Sequence, residues 1–328
     1  MDRRGFIGAA AVGLLAAPLA GHADAPSANA RRIGFLGNST PELEANLVDA
    51  FRRGLRDLGY IEGANLVVVY RWAQGNYARF PALVAELVDA RVELIVTAGT
   101  PASQAVKRVA PDTPLVMVAV GDPVHTGLAE SLGHPGGNAT GLTSIAPDLE
   151  GKRLELLTQV VPRLAGIAVV WNPDNAFHVG AEREVHAAAA VLHLQVLSVG
   201  VRTTGDFDRA FATIVEGRPG ALTVLADRIF LHNRAQIVEF AARNRLPAVY
   251  AYRELVEAGG LMSFGPNYAE MHRRAAVYVD RILKGAAAGE LPIEQPTKFH
   301  LLINMHAART LCLAIPQAVL LRADEVIR

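Results

Sequence analysis

Arg32-Ile-Gly-Phe-Leu-Gly-Asn38 and Gly166-Ile-Ala-Val-Val-Trp-Asn172 are two forms of one phrase, a short apolar run closed by asparagine. A strand covered on both faces has no polar side, so it reads as an unbroken apolar run rather than an alternation. Each phrase therefore predicts the first strand of a buried parallel sheet.

Further runs of this kind follow at Leu66–Tyr70, Leu94–Val96, Leu115–Val120, Leu194–Val199, Ala221–Leu225 and Ala248–Tyr250. Between them lie amphipathic segments at Glu42–Leu58, Tyr77–Ala90, Pro101–Val109, Leu149–Val160, Ala181–Leu192, Phe207–Val215 and Asn233–Arg243. Leu47, Phe51, Leu55 and Leu58 recur at helical spacing and share one face. Pro101 suits a first helical turn and Asp148 an N-cap. Strand and helix in strict alternation predict βαβ units, hence an α/β protein.

The spacing from Asn38 to Thr100 to Asp122 runs parallel to that from Asn172 to Asp227 to Tyr250. The fold expected is two similar doubly wound parallel-sheet lobes, because a chain of 328 residues exceeds what one core usually holds. Gly133-His-Pro-Gly-Gly-Asn-Ala-Thr-Gly141 is the expected crossing between them. A strand at Gly260–Phe264, a helix at Tyr268–Leu283 and a strand at Lys298–Ile303 complete the lobes by return crossings. The division is residues 31–145 plus 258–285 in the N-terminal lobe and 146–257 plus 286–328 in the C-terminal lobe.

Ligands of open α/β sheets sit beyond the carboxyl ends of the strands, at the switch point of strand order. That rule selects Asn38, Ser39, Thr100, Pro101 and Asp122 in the first half, and Asn172, Asp227 and Tyr250 in the second. Thr100 and the helix start at Pro101 are placed to receive a carboxylate, Asp227 an ammonium, and the ring of Tyr250 to cover a side chain. Asn38, Asp122 and Asn172 serve equally well as turn caps.

Composition narrows the function. Lys and Arg number 32 against 32 Asp and Glu, so no phosphate-neutralising surplus marks a nucleic-acid partner. Cys312 is the single cysteine, which excludes an internal disulfide and a cysteine-built metal or redox centre. The sequence carries no Gly-x-x-x-x-Gly-Lys-Ser/Thr loop, no Gly-x-Ser-x-Gly elbow and no His-Glu-x-x-His. His186 and His193 find no third ligand, and His125 beside Asp122 finds no nucleophile. No catalytic residue, metal or cofactor is assigned. Residues 1–25 run from Arg3-Arg4 through an apolar stretch, Gly5 to Ala20, to Ala23-Asp24-Ala25, the order of an export signal. The arginine pair followed by Gly5, Phe6 and Ile7 has the twin-arginine pattern, and removal is expected between residues 23 and 30. The stretch is too short to span a bilayer and no cysteine follows it, so the expected product is periplasmic, without a lipid anchor.

Beyond these signals lie longer phrases: Gly54-Leu-Arg-Asp-Leu-Gly-Tyr-Ile-Glu-Gly63, Tyr70-Arg-Trp-Ala73, Gly121-Asp-Pro-Val124, Pro135-Gly-Gly-Asn-Ala-Thr-Gly-Leu142, Gly151-Lys-Arg-Leu-Glu-Leu-Leu157 and Glu257-Ala-Gly-Gly-Leu-Met-Ser-Phe-Gly-Pro-Asn267. With Pro296-Thr-Lys298 and Arg322-Ala-Asp-Glu-Val-Ile327, the chain after residue 30 resembles ABC-transporter substrate-binding proteins of the tryptophan/tyrosine type. The resemblance implies a type I periplasmic binding fold with three crossovers at a hinge. It also implies a small ligand trapped by closure, delivery to an ABC permease with its cytoplasmic ATPase, and a monomer that is not an enzyme. An exported α/β enzyme and a ligand-reporting receptor module are the rival classes. One departure from the relatives stands out: Asp227-Arg228 replaces their usual Asp-Pro.

Overall fold

The computed structural model describes residues 30–145 and 149–328. The export signal read at residues 1–25 and the N-cap expected at Asp148 lie outside the described residues.

The chain begins β1 (Arg31–Gly37), α1 (Ala45–Asp57), β2 (Leu66–Trp72), α2 (Phe80–Asp89), β3 (Ile95–Ala98), α3 (Thr100–Val109), β4 (Leu115–Val120) and β5 (Ala139–Thr143). It continues through α4 (Leu149–Val160), β6 (Gly166–Trp171), α5 (Ala176–Val191), β7 (Gln195–Gly200), α6 (Phe207–Gly217), β8 (Ala221–Val224), α7 (Arg228–His232) and α8 (Arg234–Arg243). The last part holds β9 (Ala248–Tyr250), α9 (Arg253–Glu257), β10 (Met262–Gly265), α10 (Tyr268–Leu283), β11 (His300–Asn304), α11 (Met305–Thr310), α12 (Gln317–Leu320) and β12 (Glu325–Ile327).

Two sheets result, ordered β2-β1-β3-β4-β5 and β12-β11-β10-β9-β8-β6-β7. All pairings are parallel except β10 with β11. This is the two-lobe α/β fold, doubly wound, expected from the repeated phrase. In each sheet the order reverses beside the strand carrying that phrase, between β1 and β3 and between β6 and β8, and this places the switch points. The strands are apolar because they are covered on both sides: every residue of β4 is buried. Leu47, Phe51 and Leu55 of α1 are buried as their spacing demands, each contributing roughly 1.5–3 kcal/mol of hydrophobic free energy, whereas Leu58, read onto the same face, caps the helix and is 38% exposed.

The division between lobes differs from the expected one at three places. Gly133–Gly141 is not the crossing. Its end enters β5, whose Ala139, Thr140 and Gly141 pair with Leu115, Val116 and Met117, and the chain leaves the first sheet after Thr143. β10 was expected in the first lobe, but Met262 and Ser263 pair with Val249 and Tyr250 of the second sheet, so the crossing back follows Gly265. α10 then lies on α1, so closely that a Cβ on Gly54 would stand 2.3 Å from the Arg273 carbonyl oxygen. Finally, residues 286–294 were expected in the second lobe, yet they bind the first: Thr140 Oγ1 donates to the Leu291 carbonyl at 2.6 Å, Ile293 N to Leu132 O at 2.8 Å and Glu294 N to Gly141 O at 3.0 Å. The third crossing thus lies between Glu294 and His300. Backbone pairing decided each case, and a strand's partner is not encoded in its own residues.

Candidate functional site

The carboxyl ends of the two sheets meet. Asn38 and Ser39 follow β1, and both backbone N–H groups donate to Oε1 of Glu44, at 3.0 and 2.7 Å. Burial pushes the Glu44 carboxyl up, against the pull of Arg228 and of those two N–H donors. Asn38 Nδ2 donates to the Ala98 carbonyl at 2.9 Å, whereas its buried Oδ1 has no hydrogen-bond partner among the described residues. The Ser39 hydroxyl reaches across to Nδ1 of His232 in α7 at 2.7 Å.

Next along the edge, Gly99 adopts φ +83°, a conformation that favours glycine, and a Cβ there would lie 3.3 Å from Cγ of Arg228. Thr100 opens α3; its Oγ1 accepts from Gly121 N at 3.0 Å, and its own O–H proton remains to be donated. Pro101 occupies the first turn of α3. Gly121, after β4, is the point of tightest approach, where a Cβ would stand 2.0 Å from Cγ of Phe177 in the opposite lobe. Asp122 is a turn cap, Oδ1 accepting from Val124 N and His125 N at 3.0 Å each.

On the second sheet, Asp227 is 2% exposed and caps α7. Its Oδ1 accepts from the Tyr77 hydroxyl at 2.5 Å and from Ile229 N at 3.0 Å. Oδ2 accepts from Asn172 Nδ2 at 3.2 Å and from Asn175 Nδ2 at 2.8 Å. Four donors use the carboxylate's four lone-pair positions, leaving none for the ammonium it was expected to meet. Tyr77 belongs to the first lobe, so Asp227 instead fastens the lobes together. Burial and Asp227 hold the Tyr77 phenol well above its usual range. Asn172 is likewise committed, donating through N to His178 Nδ1 and accepting Asp174 N at Oδ1.

Tyr250 is not at this junction. Its ring abuts Gly260, where a Cβ would lie 2.5 Å from Cε2. It lines a cavity of about 210 Å³ with Val238, Leu246 and Ala307 inside the second lobe. The strand-end rule selects a position, not the face toward which its side chain points. The ring at the junction is Tyr252, two residues on, paired with Tyr268 at the start of α10 at a centroid distance of 4.6 Å.

Arg228 lies between these elements, with its guanidinium carbon 5.4 Å from the ring centroids of both Tyr252 and Tyr268. Burial opposes its charge, but Tyr252, Glu44, Tyr268 and Glu254 together hold its pKa above the usual value. Glu254 belongs to α9 and accepts from Asn46 Nδ2 of α1 at 3.0 Å, a further bond between the lobes. Sequence reasoning missed Tyr77, Glu44, Glu254 and Tyr268, each of which lies in or beside the first turn of a helix rather than at a strand end. Among the described residues, no group of three or more His, Cys, Asp or Glu is placed to hold a metal ion, and no helix is long and apolar enough to cross a membrane.

Residues 39–327 match the profile of the family described as ABC transporter substrate binding protein. The chain belongs to that family. A Tyrosine-binding protein of Clostridioides difficile is 27% identical over 261 residues, 80% of this chain and 75% of that one. A solved ABC domain in complex with L-Trp from Streptococcus pneumonia is 24% identical, with a TM-score of 0.84 over 91% of this chain and all of the other. A ligand-free, open substrate binding protein with adhesive properties from Clostridium difficile is 22% identical, with a TM-score of 0.63 over 90% and 99% of the two chains. The family member described here thus has the type I periplasmic binding fold, and its family is one of solute-binding proteins rather than enzymes.

Proposed function

We propose that this family member is the extracytoplasmic solute-binding component of an ABC importer, trapping an amino acid, aromatic ones included, or a related carboxylate between its lobes by hinge closure. The observation carrying the reading is the set of three hydrogen bonds that join the lobes across the strand ends: Ser39–His232, Tyr77–Asp227 and Asn46–Glu254. Such bonds form only when the lobes close, and closure around a solute is what a binding protein needs in place of a nucleophile. Asn38, Ser39, Thr100 and Pro101 form the first wall of the ligand site in this reading, with the Thr100 hydroxyl and the start of α3 facing the ligand. Asp122, Asn172 and Asp227 shape its edges. The monomeric protein would pass its ligand to a permease and ATPase.

Titration calorimetry of ligand-stripped protein against the twenty L-amino acids, paired with small-angle scattering, tests this. Stoichiometric binding with a smaller radius of gyration is expected; conversion of the added compound into product would assign an enzyme instead. Export belongs to the same proposal: Arg3→Lys with Arg4→Lys abolishes periplasmic accumulation if the twin-arginine route carries the protein, and undiminished accumulation assigns the general secretory route.

A further inference from the structure

Adjacent residues Asp227 and Arg228 are opposites in hydrogen bonding. Asp227 has every lone pair engaged, whereas NH1 and NH2 of Arg228 have no hydrogen-bond partner among the described residues although the residue is 4% exposed. A buried guanidinium is tolerated when its donors are satisfied, since each buried donor left unmet carries the full cost of its desolvation. Glu44 does not fill the role: it is near enough to act on Arg228 through charge, but neither of its oxygens accepts a hydrogen bond from NH1 or NH2. Tyr252 and Tyr268 act on the faces of the guanidinium, a cation–π arrangement that orients the fork and provides no hydrogen-bond acceptor from the rings.

Buried acceptors in this neighbourhood are also unmatched, among them Asn38 Oδ1, Glu254 Oε2 and His272 Nε2. His272 donates from Nδ1 to the Tyr268 carbonyl at 2.7 Å, which leaves Nε2 as the bare acceptor. The donors and acceptors waiting at the junction therefore call for a molecule bearing both an anion and a cation.

We propose that Arg228 is the anion receptor of the cleft: its two terminal guanidinium nitrogens hold the ligand's carboxylate, while Asn38 Oδ1 and Glu254 Oε2 take the ligand's ammonium. The assignment rests on the binding-protein reading above and specifies the ligand class as a zwitterion. The planar fork matches a carboxylate's two oxygens, a fit that a lysine ammonium does not reproduce. It also moves the ammonium away from Asp227, whose capacity is spent.

The test uses protein stripped of retained ligand by unfolding and refolding. Thermal-shift screening covers the twenty L-amino acids, each beside its decarboxylated amine, its carboxamide and its deaminated acid, with calorimetry on the compounds that bind. Amino acids are expected to bind, their amines and carboxamides to bind at least thirtyfold more weakly, and Arg228→Gln to weaken the parent amino acid by roughly thirtyfold or more. Arg228→Lys, which keeps the charge without the fork, should fall in between, and it carries the comparison if the glutamine variant fails to fold. An amine or carboxamide that binds within about threefold of its parent overturns the assignment while leaving the cleft as the binding site. So does an Arg228 variant of unchanged melting temperature that keeps wild-type affinity. A deaminated acid that binds as well as its parent, and only with Arg228 present, sinks the ammonium half and the amino-acid reading but retains the anion receptor. Should no amino acid bind, the compound released from host-purified protein decides, a neutral or purely cationic one refuting the proposal.

Discussion

The carboxyl edges of the two sheets face the same junction but are furnished differently. On the first sheet the edge is small and, apart from the turn cap Asp122, uncharged, Asn38, Ser39, Gly99, Thr100 and Gly121, and much of its hydrogen bonding goes to its own lobe's backbone and to Glu44. The second edge carries Asp227, Arg228 and Tyr252, buried charge and a large ring. One lobe offers a surface that the other can approach to contact distance; the other brings the buried charges and the large ring. A shared topology places both edges without dictating that they do the same work.

The largest effect expected on this comparison comes from the second edge. Asp227→Ala leaves Tyr77, Ile229, Asn172 and Asn175 without their common acceptor and should cost about 3–5 kcal/mol of stability, read as a lower urea midpoint. If the variant is as stable as the parent, the network is not what joins the lobes. The first edge is tested by adding the least possible bulk. Gly121→Ala puts a methyl group onto Phe177, and an overpacked contact of this kind should oppose closure by about 1–3 kcal/mol, a loss of roughly five- to 150-fold in ligand affinity, with stability of the open protein unchanged. Adding Phe177→Ala should restore much of it; an affinity that stays low would place the obstruction elsewhere.

A smaller effect separates the second edge from what lies behind it. Burial, with Arg228 adding to it, pushes His272 down to about 3. An unfolded histidine takes up a proton below about 6.5, which the folded protein refuses until far lower pH. The stability linked to neutral His272 is therefore complete above that value and declines as pH falls through the window, by about 1.4 kcal/mol per pH unit. Melting temperature should drop between pH 6.5 and 5, and His272→Gln should flatten the decline. His178, lowered mainly by burial, contributes in the same direction, so an unaltered slope in the His272 variant would move the effect to that residue.

Much of the architecture was legible because buried parallel strands announce themselves: β4 and β9, α4 and α10 coincide with the segments read from the sequence. β5 was not, because Ala139-Thr-Gly-Leu-Thr143 is short and follows three glycines in the turn-rich stretch. Gly141 has φ +131° there, and a Cβ on it would strike the Met117 carbonyl oxygen at 2.0 Å. β12 is three residues long and half-exposed, with no apolar run to betray it. In the candidate site, the switch-point rule found Asn38, Thr100 and Asp227 as positions. It did not find what Asp227 binds, since Tyr77 lies 150 residues away, and it misplaced Tyr250, whose ring turns into its own lobe.

The seating of α10 against α1 has a consequence for synthesis. Leu47, Phe51 and Leu55 emerge from the ribosome early, but Ala275, Ala276 and Val279, which share their core, are made more than two hundred residues later. Until then the nascent chain displays a greasy stripe with no cover of its own. The first lobe to be translated is thus among the last parts to be finished, and a holding chaperone has the whole interval in which to act.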